Sequence, residues 1–211
     1  MKTEELIRAM SADDIKEKPV RNVLPIALAG AAAAAGLAFY ATMGIRPDLM
    51  AALSQFPVLF KLTFPIMMAV AAFGAVVQLT RPGARLDGWG LALLIAPAVV
   101  AASFWATALG TPLSGWASAI TGDSVGVCML FIPLIGTPIL FATLFALRRG
   151  ASTRPRLTGL MAGLLSGSAS AAVYAPYCTD DSPMFWGVWY VLAIGVVAVS
   201  GALLGPRLLR W

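Results

Sequence analysis

The stretch VCMLFIPLIGTPILFATLFAL, from Val127 to Leu147, runs twenty-one residues without a charge. Wound as a helix at about 1.5 Å per residue it matches the roughly 30 Å hydrocarbon core of a bilayer. A lone strand there would leave its backbone groups unpaired in lipid, and the stretch lacks the alternation of a membrane barrel. Working outward, five further apolar stretches of similar length fall near Val23–Met43, Leu62–Thr80, Leu91–Leu109, Leu157–Ala175 and Phe185–Leu204. The expected fold is therefore all-α, an integral membrane bundle of six transmembrane helices over residues 23–211, preceded by a charged segment, residues 1–22.

Composition supports lipid as the main solvent. Of the 211 residues 59% are hydrophobic and 12% charged, and mean hydropathy is +0.83. Soluble domains carry about 25% charged residues, and so few charges could not cover a water-exposed surface of this size. An ordinary cytosolic enzyme and a disordered chain are both excluded. The sequence has no histidine, which removes the commonest general base and metal ligand together.

Orientation follows from the basic residues. With the N-terminus inside, all but two of the 15 lie in cytoplasmic pieces: Lys2, Arg8, Lys16, Lys18 and Arg21, then Arg81 and Arg85, then Arg148, Arg149, Arg154 and Arg156, then Arg207 and Arg210. Arg46 and Lys61 alone fall outside. Six spans return the C-terminus to the cytoplasm, so both termini are expected there. The first stretch reads as a retained span, because its apolar run exceeds that of a signal peptide and the residues before it are rich in acids.

Within the spans no ionisable residue is expected in the middle of the membrane, which argues against a proton-coupled pump or a voltage sensor. Gln78, Ser103, Thr107, Thr137, Ser166, Ser168 and Ser170 are the interior polar groups, and a hydroxyl there can bond to a carbonyl one turn back. Gly159, Gly163, Gly167 and Ala171 recur every four residues in the fifth stretch, with Gly201 and Gly205 in the sixth. Such rows let helix backbones approach closely. Packing inside the bundle is the plainer reading, and a homodimer interface is the alternative.

Cys128 and Cys178, the two cysteines, are expected at the same outer face. A thiol pair there can form a disulfide, stay reduced or bind a soft metal ion, with Asp123, Asp180 and Asp181 near enough in sequence to complete a site. Each can equally be a small buried hydrophobe. There is no Cys-x-x-Cys, which leaves a thiol oxidoreductase with little support.

At the other end, residues 1–22 hold five acidic and five basic side chains. Thr3 can cap a short helix that places Leu6, Ile7 and Met10 on one face. A helix this short is unstable alone in water, so it is expected to order on docking its stripe. A membrane-surface helix would be strongly basic, and the charge balance here favours a protein partner.

Four stretches carry a family resemblance. Met1-Lys2-Thr3-Glu4-Glu5-Leu6-Ile7 with Pro19-Val20-Arg21, Gly44-Ile45-Arg46-Pro47-Asp48-Leu49 with Phe60-Lys61-Leu62, the single Cys128, and Tyr174-Ala175-Pro176-Tyr177-Cys178-Thr179-Asp180-Asp181-Ser182-Pro183 running into Val188-Trp189-Tyr190 together resemble the six-span NrsF-type anti-sigma factors. The likeness covers essentially the whole chain. It implies a bacterial inner-membrane regulator that is not an enzyme. Its short head, with Leu6, Ile7, Met10, Pro19, Val20 and Arg21, would hold an extracytoplasmic-function sigma factor away from RNA polymerase. Cys128, Cys178, Asp180 and Asp181 would then sense an envelope, metal or redox stress. No resident cofactor and no direct nucleic-acid contact are implied, and a soft metal ion would visit Cys128 and Cys178 only transiently. The chief rival is a small six-span transporter or facilitator of a neutral solute.

Overall fold

The computed structural model describes residues 3–5, 19–84 and 87–209. Six long helices account for most of them, each long and apolar enough to cross a membrane. They are α1 (Val20–Met43), α3 (Phe56–Leu79), α4 (Asp87–Gly110), α6 (Val125–Leu147), α7 (Pro155–Tyr174) and α8 (Pro183–Leu208). Two short helices, α2 (Leu49–Ala52) and α5 (Trp116–Thr121), and a 3₁₀ turn at Leu113–Gly115 lie in the connections. Among the described residues there is no strand.

Local chemistry sets several boundaries. Proline occupies the first turn of α3, α7 and α8, where its fixed φ suits a helix start and its missing N–H costs nothing. Ser182 caps α8 by accepting a hydrogen bond from the Met184 N–H at 3.3 Å. Gly44 closes α1 at φ 77°, a left-handed conformation that favours glycine. Most of the interior hydroxyls behave as expected: Ser103, Thr107, Thr137 and Ser166 each donate to a carbonyl four residues back and Ser170 to one three back, whereas Ser168 is buried with no partner.

All six helices depart by a few residues from the bounds read in the sequence, and two of the shifts bear on site residues. Helix α1 begins at Val20, so Val20 and Arg21, the last residues of the expected head, lie in the first turn of the first helix. Helix α3 begins at Phe56, six residues before the expected start, because Pro57 can initiate a helix that the charge of Lys61 had seemed to forbid. Lys61 consequently lies in the second turn of the span, wholly buried at 0% exposure. The expected boundary that left Lys61 in a loop is corrected here, and an ionisable group does sit inside the helical body.

Helix α7 is the most enclosed of the six and packs on α8, α3 and α6, while α1 lies mainly against α6 and α4 against α3 and α8. The small-residue row explains the tightest contact. A β-carbon on Gly159 would collide with the Gly201 carbonyl oxygen, one on Gly163 with that of Val197, and one on Gly205 with that of Pro155. The row is thus consumed within the chain, backbone against backbone, in the manner of closely crossing membrane helices. Large apolar side chains such as Ile26, Leu37, Leu94 and Leu109 point outward, as lipid requires.

The connections sort to two ends. At one, which we call the basic end, Ala151 donates to the Thr80 carbonyl at 3.1 Å and Gly150 sits against Thr80 and Val20. At the other, the cysteine end, the loops after α1, α5 and α7 meet.

This packing makes Gly201→Val incompatible with the α7–α8 crossing. Overpacking of that kind costs about 1–3 kcal/mol or more, so detergent-solubilised protein should show a clear fall in melting temperature. Gly195→Ala, where a β-carbon meets nothing within 4 Å, should melt like the parent chain.

Candidate functional site

The eight residues between α7 and α8, 175–182, form a strap across the cysteine end. Cys178 lies in its middle and Cys128 in the first turn of α6. Both are free thiols, buried at 1% and 0% exposure. They share one core cluster with Phe64, Tyr174, Phe185, Trp186 and Tyr190. The aromatic shell is continuous: Phe64 stacks on Trp186 at 5.2 Å between ring centres, and Tyr174 meets Phe39, Tyr177 and Tyr190 at 5.8 to 5.9 Å. The Tyr174 hydroxyl and the Trp186 indole N–H are buried with no hydrogen-bond partner, an arrangement that ordinarily costs about 1–3 kcal/mol per group. Burial pushes the Cys178 thiol up, and the nearby Lys61 ammonium opposes that.

Charges hold the strap in place. Lys61 Nζ donates to the Cys178 carbonyl at 2.7 Å, to the Asp180 carbonyl at 3.3 Å and to Asp181 Oδ1 at 2.5 Å. Arg46, from the loop that follows α1, donates from Nη1 to both Asp181 oxygens at 2.8 and 2.9 Å and to the Cys178 carbonyl at 3.2 Å. The other edge of its guanidinium grips Asp48 through Nε and Nη2, both at 2.8 Å. This fork, with Asp181 second, holds Arg46 above its ordinary range, and it lowers Asp48 to about 2. The Asp48 carboxylate therefore stays charged in mild acid. The Arg46 backbone N–H also donates to the Pro176 carbonyl at 3.3 Å. Cys178 O thus takes hydrogen bonds from two cations.

Asp180 reaches the opposite way. Its carboxylate accepts from the Ser124 N–H at 3.0 Å and the Asp123 N–H at 3.4 Å, capping the start of α6. Negative charge suits a helix N-terminus. Gly122, at φ 49°, is packed so closely on Asp180 and Phe185 that a side chain there would collide with them. Trp189 ties α8 to α5, just ahead of that loop, by donating a 2.8 Å hydrogen bond to the Ile120 carbonyl. Beside the strap a cleft of about 330 Å³ is lined by Arg46, Ser124, Val127, Tyr177 and Thr179, which include immediate neighbours of both cysteines.

The structure brings Cys128, Cys178, Asp180 and Asp181 together at the cysteine end, while Pro19, Val20 and Arg21 lie at the basic end. Leu6, Ile7 and Met10 lie outside the described residues. The carboxylates do not join the thiols: Asp180 caps α6 and Asp181 pairs with cations. Among the described residues no three Cys, Asp or Glu side chains gather where they could hold a metal ion. Sequence reasoning passed over Arg46, Lys61, Tyr174, Trp186 and Tyr190 as site residues. A signal for two of these was available, because Arg46 and Lys61 are the basic residues that break the charge asymmetry.

Thiols buried this deeply should resist an alkylating reagent. At neutral pH both should react with N-ethylmaleimide at least tenfold more slowly in the folded chain than after denaturation, as read by mass spectrometry; prompt modification of either would contradict the enclosure described.

The fold and the thiol cluster can be set beside known proteins. No solved structure matches the chain. Two curated relatives align over the full length of both sequences: the probable anti-sigma-F factor NrsF of Azospira oryzae at 34% identity and the anti-sigma-F factor NrsF of Caulobacter vibrioides at 30%. The family model described as NrsF, negative regulator of sigma F, matches residues 9–211. With all six spans and both cysteines inside that match, the chain belongs to the NrsF family.

Proposed function

We propose that this chain is an anti-sigma factor of the bacterial inner membrane, with both termini in the cytoplasm. In this reading its residues 1–22, through Leu6, Ile7 and Met10 with Pro19, Val20 and Arg21 at the membrane, hold an extracytoplasmic-function sigma factor away from RNA polymerase. The supporting observation is the full-length likeness to two anti-sigma-F factors. The family is one of regulators, so no catalytic step is invoked. Basic residues gathered at one end, with Arg46 and Lys61 at the other, favour a cytoplasmic basic end.

On this orientation the cysteine end faces the periplasm, and Cys128 with Cys178 receives a metal or redox signal of the envelope. Two sulfurs with no third Cys, Asp or Glu ligand beside them among the described residues suit a soft ion of low coordination number, such as Cu(I), better than a tetrahedral Zn²⁺. The signal acts by favouring a state that binds the sigma factor less well, and it shifts the balance only by its own preference between the two states.

The test is co-purification of the detergent-solubilised full chain with its sigma factor. Leu6→Asp and Ile7→Asp should each lower recovery at least tenfold and leave target genes permanently expressed; full repression by either variant would show that the docking stripe is misassigned. Replacing both cysteines with serine should keep repression while abolishing induction by metal or oxidant. A double-serine chain that still responds would return the cysteines to a packing role.

A further inference from the structure

Three features of the cysteine end remain unused by that function: a wholly buried lysine, a 7% exposed arginine, and a carboxylate shared between them. Isolated charges are expelled from such surroundings, because desolvation costs each several kcal/mol unless geometry returns it. Here the geometry is close to complete. Lys61 spends its three donors on Cys178 O, Asp180 O and Asp181, and Arg46 commits both edges of its fork. Every one of these bonds except the Arg46–Asp48 fork ends on the strap.

The elements so joined matter. Arg46 follows α1 by three residues, and Lys61 belongs to α3. On its other side the strap is fastened by Asp180 to the start of α6, one turn ahead of Cys128. Cys128 and Cys178 therefore stand on the two bodies that Asp180 joins. Arg46 and Lys61 connect one of those bodies to the first two spans. Aromatic contacts run the same way, since Phe39 of α1 packs on Tyr174 and Tyr177, and the Tyr40 hydroxyl donates to the Val173 carbonyl.

We propose that Arg46 and Lys61, closed on Asp181 and on the Cys178 carbonyl, form a latch that makes the strap and the outer ends of α1 and α3 move as one, so that drawing Cys178 toward Cys128 displaces the first span. Arg46 and Lys61 are positioning residues in this scheme: they touch the backbone of Cys178 and no signal. The proposal rests on the reading of Cys128 and Cys178 as the sensor. The small-residue row offers no such link to α1, because it is spent between α7 and α8.

A trivalent aryl arsenical tests it on the full chain in complex with its sigma factor. Phenylarsine oxide captures two thiols by forming two As–S bonds and releasing water, which draws both sulfurs onto one atom. In the parent chain, capture should lower the bound sigma factor at least fivefold. In Arg46→Gln and in Lys61→Met, capture should proceed at least fivefold faster, because the strap is released, while the bound sigma factor falls by less than twofold. Lys61→Arg should restore the coupling. Arg46→Gln leaves the Lys61–Asp181 pair intact and is the decisive variant if loss of Lys61 prevents folding. Release from either variant equal to that from the parent overturns the latch and leaves the sensor standing. A parent chain that captures the arsenical and keeps its sigma factor overturns the sensor reading, and the latch falls with it.

Discussion

The structure turns on one constraint, that Lys61 carries a charge into a body whose solvent is lipid. An ammonium placed there must find anionic and carbonyl oxygens within its own reach, and Asp181 with two strap carbonyls supplies them. That requirement fixes the path of residues 175–182 more firmly than apolar contact would, since grease is tolerant of small shifts and a buried ion pair is not. The strap in turn fixes where Cys178 sits, which carbonyl faces Arg46, and which side of Asp180 meets α6. Breaking a buried pair of this kind typically costs about 3–5 kcal/mol, a large share of a domain's stability.

The six spans were legible in the sequence because long uncharged runs leave no other solution in a bilayer. Their ends were less so. Reading Lys61 as a boundary assumed that a charge stops a membrane helix, whereas a charge whose partner arrives from 120 residues further along can be carried inside. No local pattern reports such a partner. Val20 and Arg21 were assigned to the head for a related reason, since an arginine at a helix end can face the interface while its backbone continues the helix.

The site was half legible. Cys128 and Cys178 stood out by scarcity, and the topology placed them at one end, where the structure gathers them. Asp180 and Asp181 were singled out as companions of the thiols, but their chemistry is spent elsewhere, on helix capping and on cations. Adjacent carboxylates that pull in opposite directions look identical in sequence to a pair that points the same way. Tyr174, Trp186 and Tyr190 were invisible as site residues because aromatic side chains in a membrane helix are read as packing, and only three-dimensional burial shows which polar tips go unsatisfied.

The α7–α8 crossing has a mechanical meaning as well. Two helices pressed together along their peptide planes, with glycine where a methyl group would not fit, behave as a stator that thermal motion cannot easily shear. Helix α1, by contrast, presents most of its surface to lipid and is held at both ends, by Val20 and Leu24 in the core of the basic end and by Phe39 and Tyr40 at the cysteine end. Any relative movement is therefore easier for α1 than for that crossed pair, within the play its two attachments leave it.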